Sequence, residues 1–484
     1  MIKGNYLELY IKDDECEYMV RVLNSCNKTK TIVPCVKQAG KEFRMRGATF
    51  KGGTHPYDGK ELSKDLPVKK LLPTGEMVYP LSQHIGAPAE PVVQVGDSVL
   101  VGQTIAKASG FVSTDICSSV SGTVKKIEPR LTVSGTMVNA IVVENDNAYE
   151  KVEGFGEERD YTSLDKGEIR NIIKQAGIVG MGGAGFPTHV KLAPKDDNAI
   201  DYILVNGAEC EPYLTSDYRM MLECPEAIVG GLQVILSLFP NAKGYICIED
   251  NKPEAIRVLQ EQTKGEERIS VKVLKTKYPQ GAERTLIYAA TGRMINSKML
   301  PADAGCVVNN IDTVISIYNA VCKNIPLIRR IVTVTGEGAN HPQNFEVPTG
   351  MSYKEVLSQA GGCSEDTVKI VSGGPMMGMA LFNIDVPVMK TSSALLCLTK
   401  DEVAEHEPTA CIRCGRCVSV CPSKLVPQKM LEYAERFDNE GFEKVFGMEC
   451  YECGSCTYVC PAKRRLTQSF KQTRRSVMDS RRKK

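Results

Sequence analysis

No run of apolar residues in this 484-residue chain is long enough to cross a bilayer. The longest, IVGGLQVILSLF from Ile228, reads instead as a buried helix. The opening segment MIKGNYLELYIKDDECEYMV lacks the apolar core of a secretory signal. Attachment to a membrane is therefore expected to be peripheral. A strong charge bias is missing as well: 60 Lys and Arg stand against 58 Asp and Glu, so no basic average favours a nucleic-acid binder. Histidine is scarce, and the spacing of His55, His84 and His189 makes no metal set, which leaves packing and local hydrogen bonds as their expected roles. Of nineteen cysteines, the eleven outside the C-terminal region show no paired spacing. That speaks against a disulfide framework and for free thiols in a reducing compartment.

What the chain does have is one cysteine pattern written twice. Cys411-x2-Cys414-x2-Cys417-x3-Cys421-Pro422 recurs 39 residues later as Cys450-x2-Cys453-x2-Cys456-x3-Cys460-Pro461. This is the spacing of ferredoxins with two [4Fe–4S] clusters, in which the fourth cysteine of each run serves the other cluster. A tight loop lets three thiolates reach three corners of one cubane, and the distant fourth must come from elsewhere. Cys411, Cys414, Cys417 and Cys460 are thus expected to hold one cluster, and Cys450, Cys453, Cys456 and Cys421 the other. Paired zinc sites or disulfides are the competing readings, but zinc sites of this type have no use for the crossed eighth cysteine and its proline. The pattern implies single-electron transfer.

The remaining chain divides by texture into a multidomain α/β plus β protein. Residues 1–45 form a mixed-charge leader of unknown role, either a dispensable extension ahead of Met45 or an ordinary extra hairpin. Residues 46–150 carry short β-type runs punctuated by glycine, as in PVVQVGDSVLVGQTIAKASG, the layout of biotinyl and lipoyl carrier domains, a barrel-sandwich hybrid. The tip Ser109–Ser113 has no lysine, so swinging-arm chemistry is absent. Residues 165–325 alternate helical periodicity with buried strands such as Tyr202–Val205 and Gly244–Ile248, which predicts a Rossmann-like layer with ligands at the carboxyl ends of its strands. Residues 326–375 read as two strands, a turn and a helix opened by Ser352, in a small β-grasp-like module. A connecting segment over 376–400 leads to the two-cluster domain at 401–470, where Met430, Tyr433, Ala434 and Phe437 have the spacing of an amphipathic helix. The tail 471–484 is basic: from residue 463 onward ten Lys and Arg oppose one Asp, a solvated end or a point of attraction to anionic lipid or an acidic partner.

A second chemical signal is the stretch Gly177-Ile-Val-Gly180-Met-Gly182-Gly183-Ala-Gly185-Phe186-Pro187, five glycines in nine residues after a helical segment. Residues without Cβ let backbone amides approach a phosphate or a flat ring, although a flexible connector has the same composition. Lys191 follows as a phosphate counter-charge, and the acidic turn Asn206-Gly-Ala-Glu209-Cys-Glu211-Pro212 closes a buried strand.

With these motifs in view the chain resembles a family. GMGGAGFPT, VNGAECEP, YPQGAERT and VVNNIDT are similar to motifs of the flavin-binding subunit of respiratory complex I. TFKGGTHPYDGKELS, PLSQHIGAPAEPVVQVGD, SSVSGTVKKIE, GGPMMG and the two cluster motifs resemble the RnfC family, a component of the Rnf ion-translocating ferredoxin:NAD oxidoreductase, including its SLBB-like module. The resemblance implies non-covalent FMN cradled by Gly180, Gly182, Gly183 and Gly185, with Lys191 at its phosphate. It places Asn206, Glu209, Gly281, Glu283, Asn309, Asn310 and Thr313 at flavin or nicotinamide contacts, and Phe186 against the nicotinamide. Ala208 and Ala282 depart from the complex I pattern, which has acidic residues there. Asn309–Asn310 have a competing role as a helix N-cap.

The implied function is passage of electrons between NAD(H), FMN and two [4Fe–4S] clusters, with no side-chain acid or base, in a translocase whose membrane subunits are the partners. Ferredoxin would be an indirect partner, and the chain would sit peripherally on the cytoplasmic side of the cell membrane. The alternative is an adaptor that passes electrons from a partner reductase without an NADH reaction of its own. A quinone-reductase component that shares the N-terminal domains is disfavoured because it lacks such clusters.

Overall fold

The computed structural model describes residues 6–11, 18–23, 48–183 and 185–482. Met1–Arg46 is a compact unit by itself, in which Tyr6–Ile11 and Tyr18–Leu23 pair as an antiparallel hairpin. The other leader residues lie outside the described part.

In the second unit, Gly47–Lys484, the glycine-punctuated segment builds two small sheets face to face. Gly122–Leu131 and Met137–Asn145 form a long hairpin flanked by Glu76–Pro80 and Ser98–Val99. Glu90–Pro91, Thr104–Lys107 and Ile116–Cys117 make the opposing sheet. Met77, Tyr79, Ile105, Ile116, Val124 and Ile141 fill the space between them, as expected of antiparallel strands with one wet face. This is the barrel-sandwich hybrid.

The α/β domain has four parallel strands in the spatial order Ile269–Leu274, Lys243–Glu249, Tyr202–Gly207, Cys306–Asn310. The first strand in sequence is therefore flanked by the second on one side and the last on the other. Such a reversal opens a crevice at the carboxyl ends of Tyr202–Gly207 and Cys306–Asn310, where ligands of open α/β sheets bind. Asn206 and Asn310 are register partners at that point. Pro225–Leu238, the apolar run of the sequence, is a buried helix packed against Ile311–Lys323. The helix Lys166–Gln175 begins at a capping box between Asp165 and Glu168, whose reciprocal bonds satisfy two amides of the first turn.

Arg329–Thr335 and Gln343–Pro348 form the expected strand pair, followed by the helix Tyr353–Gln359, with the Ser352 hydroxyl accepting Glu355 N–H at 3.1 Å. The segment expected as a connector does more than connect. Its strand Ala394–Leu398 lies between Arg329–Thr335 and Lys369–Ser372 in a six-stranded sheet that also takes in Lys69–Lys70. This sheet shares one core with the barrel-sandwich, since Val332, Phe345, Tyr353 and Leu395 pack with Ile105 and Ile141. The apolar run ALLCL is the reason: with four of its five residues buried it must be interior.

In the C-terminal domain the helix Pro427–Glu435 buries Met430, Leu431 and Ala434. Phe437 is not part of it: that residue sits at φ +55° and is 79% exposed. The basic segment is likewise not a free tail. One helix, Leu466–Arg482, runs through the expected boundary at 470 and buries Phe470, Thr473 and Val477. Its cations occupy the other side, so net charge hid an amphipathic stripe.

Candidate functional site

The glycine-rich loop stands at the crevice. Gly180 N–H donates to Phe186 O at 2.9 Å, and Val179 bridges Pro187, which draws the loop into a narrow hairpin. Thr313, on the first turn of the helix after the fourth strand, accepts Met181 N–H at 3.0 Å and donates to Val179 O at 3.3 Å. Thr313 is thus the anchor of the loop base. Thr313→Val is expected to leave the buried Met181 amide without an acceptor, at a cost of about 1–3 kcal/mol. Flavin affinity and melting temperature should both fall, and isothermal titration with FMN checks the first.

The glycines meet different surroundings. A Cβ on Gly182 would stand 3.1 Å from Asn310 Cβ, and one on Gly281 2.2 Å from Ala208 O. A Cβ on Gly183 would meet nothing within 4 Å, and Gly183 is exposed, so this residue faces open space at the crevice. Gly185 has φ +70° and packs its Cα side on Thr391. Below the loop, Lys191 Nζ donates to Val308 O at 3.2 Å and lies 3.9 Å from Glu283. Burial lowers its pKa. Across the crevice Asn206 Nδ2 donates to Gly281 O at 2.8 Å while its Oδ1 accepts Ala208 N–H, so this side chain fixes two turns.

Asn310 is the N-cap of Ile311–Lys323: its Oδ1 accepts Asp312 N–H at 2.9 Å and its Nδ2 donates to Asp217 at 2.7 Å. Asn309 differs. It is 1% exposed, and neither its Nδ2 nor its Oδ1 has a protein partner. A buried amide with both ends free costs several kcal/mol unless a ligand or water completes it. An open glycine loop, a half-buried ammonium and an orphaned amide at one switch point fit a flat, phosphate-bearing ligand.

Glu209 lies behind this surface. It is 7% exposed, accepts Asp217 N–H at 2.8 Å, and stands 3.9 Å from Lys60 Nζ. Lys60 and Asp217 are functional neighbours that sequence reasoning missed; Lys60 lies in the motif TFKGGTHPYDGKELS, which gave no hint of burial. Burial, then the nearby Glu209 and Asp312, push the Asp217 carboxyl up to about 8. A carboxyl with a folded pKa above its unfolded value of about 4 binds its proton more tightly in the folded state. Its stabilising contribution is complete below pH about 4 and is lost as pH rises through about 8. Asp217→Asn should flatten the fall in melting temperature as pH rises from about 4 to about 8.

The two cysteine runs fold as near copies. Arg413 and Glu452 have φ +55° and +57°, Gly415 and Gly454 +75° and +80°, Lys424 and Lys463 +55° and +49°. In each run backbone amides point at sulfur: Arg413 N–H to Cys411 Sγ at 3.4 Å, Glu452 N–H to Cys450 Sγ at 3.3 Å. Such donors stabilise sulfur-bound negative charge. Cys421, Cys450, Cys453 and Cys456 line one hollow, together with Leu425 and Phe470. The crossed fourth cysteine of the first run thus sits with the second. Burial pushes the Cys417 thiol up, and Cys460 and Cys411 lie near enough to add to the rise. Cys411 and Cys414 are exposed, whereas Cys453 is buried.

The hollow abuts the α/β domain. Tyr278, two residues before the Gln280–Gly281 turn, donates its hydroxyl to Cys453 O at 2.7 Å. Arg284 pairs with Glu449 at 2.9 Å and lies over the Tyr451 ring, and Gly53 N–H donates to Val420 O at 2.7 Å.

Comparison with known proteins agrees with this division. Residues 48–148 match the RnfC barrel sandwich hybrid domain, 173–319 the Nuo51 FMN-binding domain, 331–380 the SLBB domain, and 404–468 a 4Fe-4S dicluster domain. The chain is 47% identical over 383 residues to a component of the proton-translocating ferredoxin:NAD(+) oxidoreductase complex of Clostridium ljungdahlii, covering 79% of this chain and 83% of that one. It is 43% identical over 444 residues to the like component of the Na(+)-translocating complex of Acetobacterium woodii, covering 91% and 100%. With the equivalent component of the ion-translocating oxidoreductase complex of Pseudomonas aeruginosa it shares 39% identity over 80% of this chain and 50% of that one.

Proposed function

The chain belongs to the RnfC family, whose members are subunits of ion-translocating ferredoxin:NAD oxidoreductase complexes, and from that membership we propose how its residues divide the work of electron transfer between NAD(H) and iron–sulfur clusters. Its cofactors are FMN, in the α/β domain, and two [4Fe–4S] clusters, in the C-terminal domain. FMN exchanges one or two electrons and a cubane one, which is the chemistry needed to divide a hydride between single-electron carriers. Among the described residues no single helix is long and apolar enough to cross a membrane, and the chain is a peripheral member of its complex.

The glycine amides of 180–185 hold the flavin and its phosphate, with Lys191 as counter-charge and Asn309 as the polar partner its orphaned amide calls for. Asn206, Gly281, Glu283 and Asn310 shape the crevice, Glu209 and Thr313 brace it from behind, and Phe186 stacks on the nicotinamide. Cys421, Cys450, Cys453 and Cys456 hold the cluster nearer the flavin, and Cys411, Cys414, Cys417 and Cys460 the outer one. Tyr278 and Arg284 keep the inner site docked on the flavin domain. The exposed Cys411 and Cys414 put the outer site within reach of a neighbouring protein of the complex, on the cytoplasmic side. Ferredoxin is met only through such neighbours.

The observation that carries this order is the Tyr278 bond to Cys453 O, beside the flavin turn. An anaerobic NADH titration of the reconstituted protein tests it, with flavin and cluster absorbance followed together. Bleaching of one flavin equivalent is expected, followed by whatever cluster reduction the potentials permit. Intact clusters with retained flavin and no response to NADH would overturn the assignment of an NAD(H) site.

A further inference from the structure

GGPMMG, residues 373–378, binds nothing in the reading above, yet it lies between the two cofactor sites. On one side Glu211, from the acidic turn after the strand Tyr202–Gly207, accepts the N–H groups of Met376 at 2.7 Å and Met377 at 3.0 Å through one carboxylate oxygen. A Cβ on Gly374 would fall 2.2 Å from Glu211 Cγ, so the loop is pressed against this side chain. On the other side a Cβ on Gly454, next to Cys453, would fall 2.9 Å from Met376 O. The Tyr278 hydroxyl donates to Cys453 O in the same cluster loop. One acidic side chain thus reaches the inner cluster loop through the Met376 segment.

Glu211 has no ion pair among the described residues. The nearest cation, Lys60, is used on the carbonyls of Glu211 and Leu214 and on Glu209. Burial raises the Glu211 pKa above the ordinary carboxylate range, and the two amide donors and Lys60 offset part of that rise. Cluster potentials respond to net charge and hydrogen bonding in their surroundings. A carboxylate without a paired cation, in a region of low polarity, acts over longer range than one in water.

We propose that Glu211, clamped by GGPMMG, is a positioning and tuning residue for the site of Cys421, Cys450, Cys453 and Cys456: its negative charge holds the reduction potential of that cluster below the value the four thiolates alone would set. The inference rests on the ligand assignment given above. Glu211 is not a ligand and takes no part in hydride transfer.

EPR-monitored redox titration of the full chain with flavin and both clusters, at neutral and at alkaline pH, is the test. A Cys414→Ser background removes the outer signal and identifies the inner one. Glu211→Gln keeps an oxygen to accept the Met376 and Met377 amides and removes the charge. The inner potential should move positive, with the outer potential and flavin content unchanged, while Glu211→Asp, which keeps the charge, stays near wild type. An inner potential unmoved by Glu211→Gln at both pH values would overturn the proposal. If the Gln variant fails to hold its cluster, Glu211→Met gives the same readout by removing the charge with a side chain of similar length, and an unmoved inner potential there counts equally against the proposal. Failure of the ligand assignment looks different: Cys453→Ser would then leave both EPR signals in place.

Discussion

Cys421→Ser is expected to remove the inner cluster and spare the outer one, although Cys421 belongs to the outer run in sequence. The hollow is lined by Cys421 together with Cys450, Cys453 and Cys456, and Leu425 N–H already points at Cys421 Sγ at 3.3 Å. A serine there supplies a hard oxygen in place of a thiolate in the buried half of the domain, so iron content should drop by about half. NADH should still bleach the flavin, because the glycine loop and the switch point are untouched. Transfer from NADH to the outer cluster should fall by orders of magnitude, since the carrier beside Tyr278 is gone. Stopped-flow absorbance with iron analysis reads both. Loss of the outer signal in this variant, with the inner one kept, would mean that ligands are not exchanged between the runs.

Gly183→Leu should abolish flavin retention while both clusters persist. The position is permissive for the protein, since an added Cβ meets no atom within 4 Å, and φ there is not in the left-handed region. The folded chain thus tolerates the substitution, and the side chain is directed into the space assigned to the isoalloxazine. Losing close approach along the loop is expected to weaken binding at least tenfold, which corresponds to about 1.4 kcal/mol. Extracted flavin per chain and melting temperature separate the outcomes: low flavin with unchanged melting of the apo-protein is expected. Normal FMN content would make the loop a connector.

Legibility in the sequence followed how local each determinant was. The dicluster domain was legible from the cysteine runs, because the spacing itself encodes a three-ligand loop. Parallel strands and the buried helix at Ile228 were equally plain from apolar runs. The strand Ala394–Leu398 was not, since five residues with no turn signal of their own take their place from a sheet whose other members lie up to about 325 positions earlier. Phe437 was misplaced because a chain that leaves a helix through φ > 0 keeps the helical spacing in sequence while losing it in space. At the flavin crevice the glycine loop stood out by composition, and Asn309 only through the resemblance of its motif. Glu209 and Thr313 share the same motifs but turn inward to hold other elements, which only the fold decides. Lys60 was invisible: a lysine in a polar loop reads as solvated until two carbonyls and a carboxylate close around it.

The helix Leu466–Arg482 closes the inner hollow with Phe470, and Thr467 lies on the same wall. During synthesis the flavin domain is therefore complete and free to fold long before the inner cluster has its lid. Until residue 470 has left the ribosome, Cys421 and the second run face water and oxygen. A closed inner site therefore waits on this helix, and removal of these C-terminal residues, or a rigid fusion that prevents their docking, should yield a yellow, flavin-loaded protein deficient in iron.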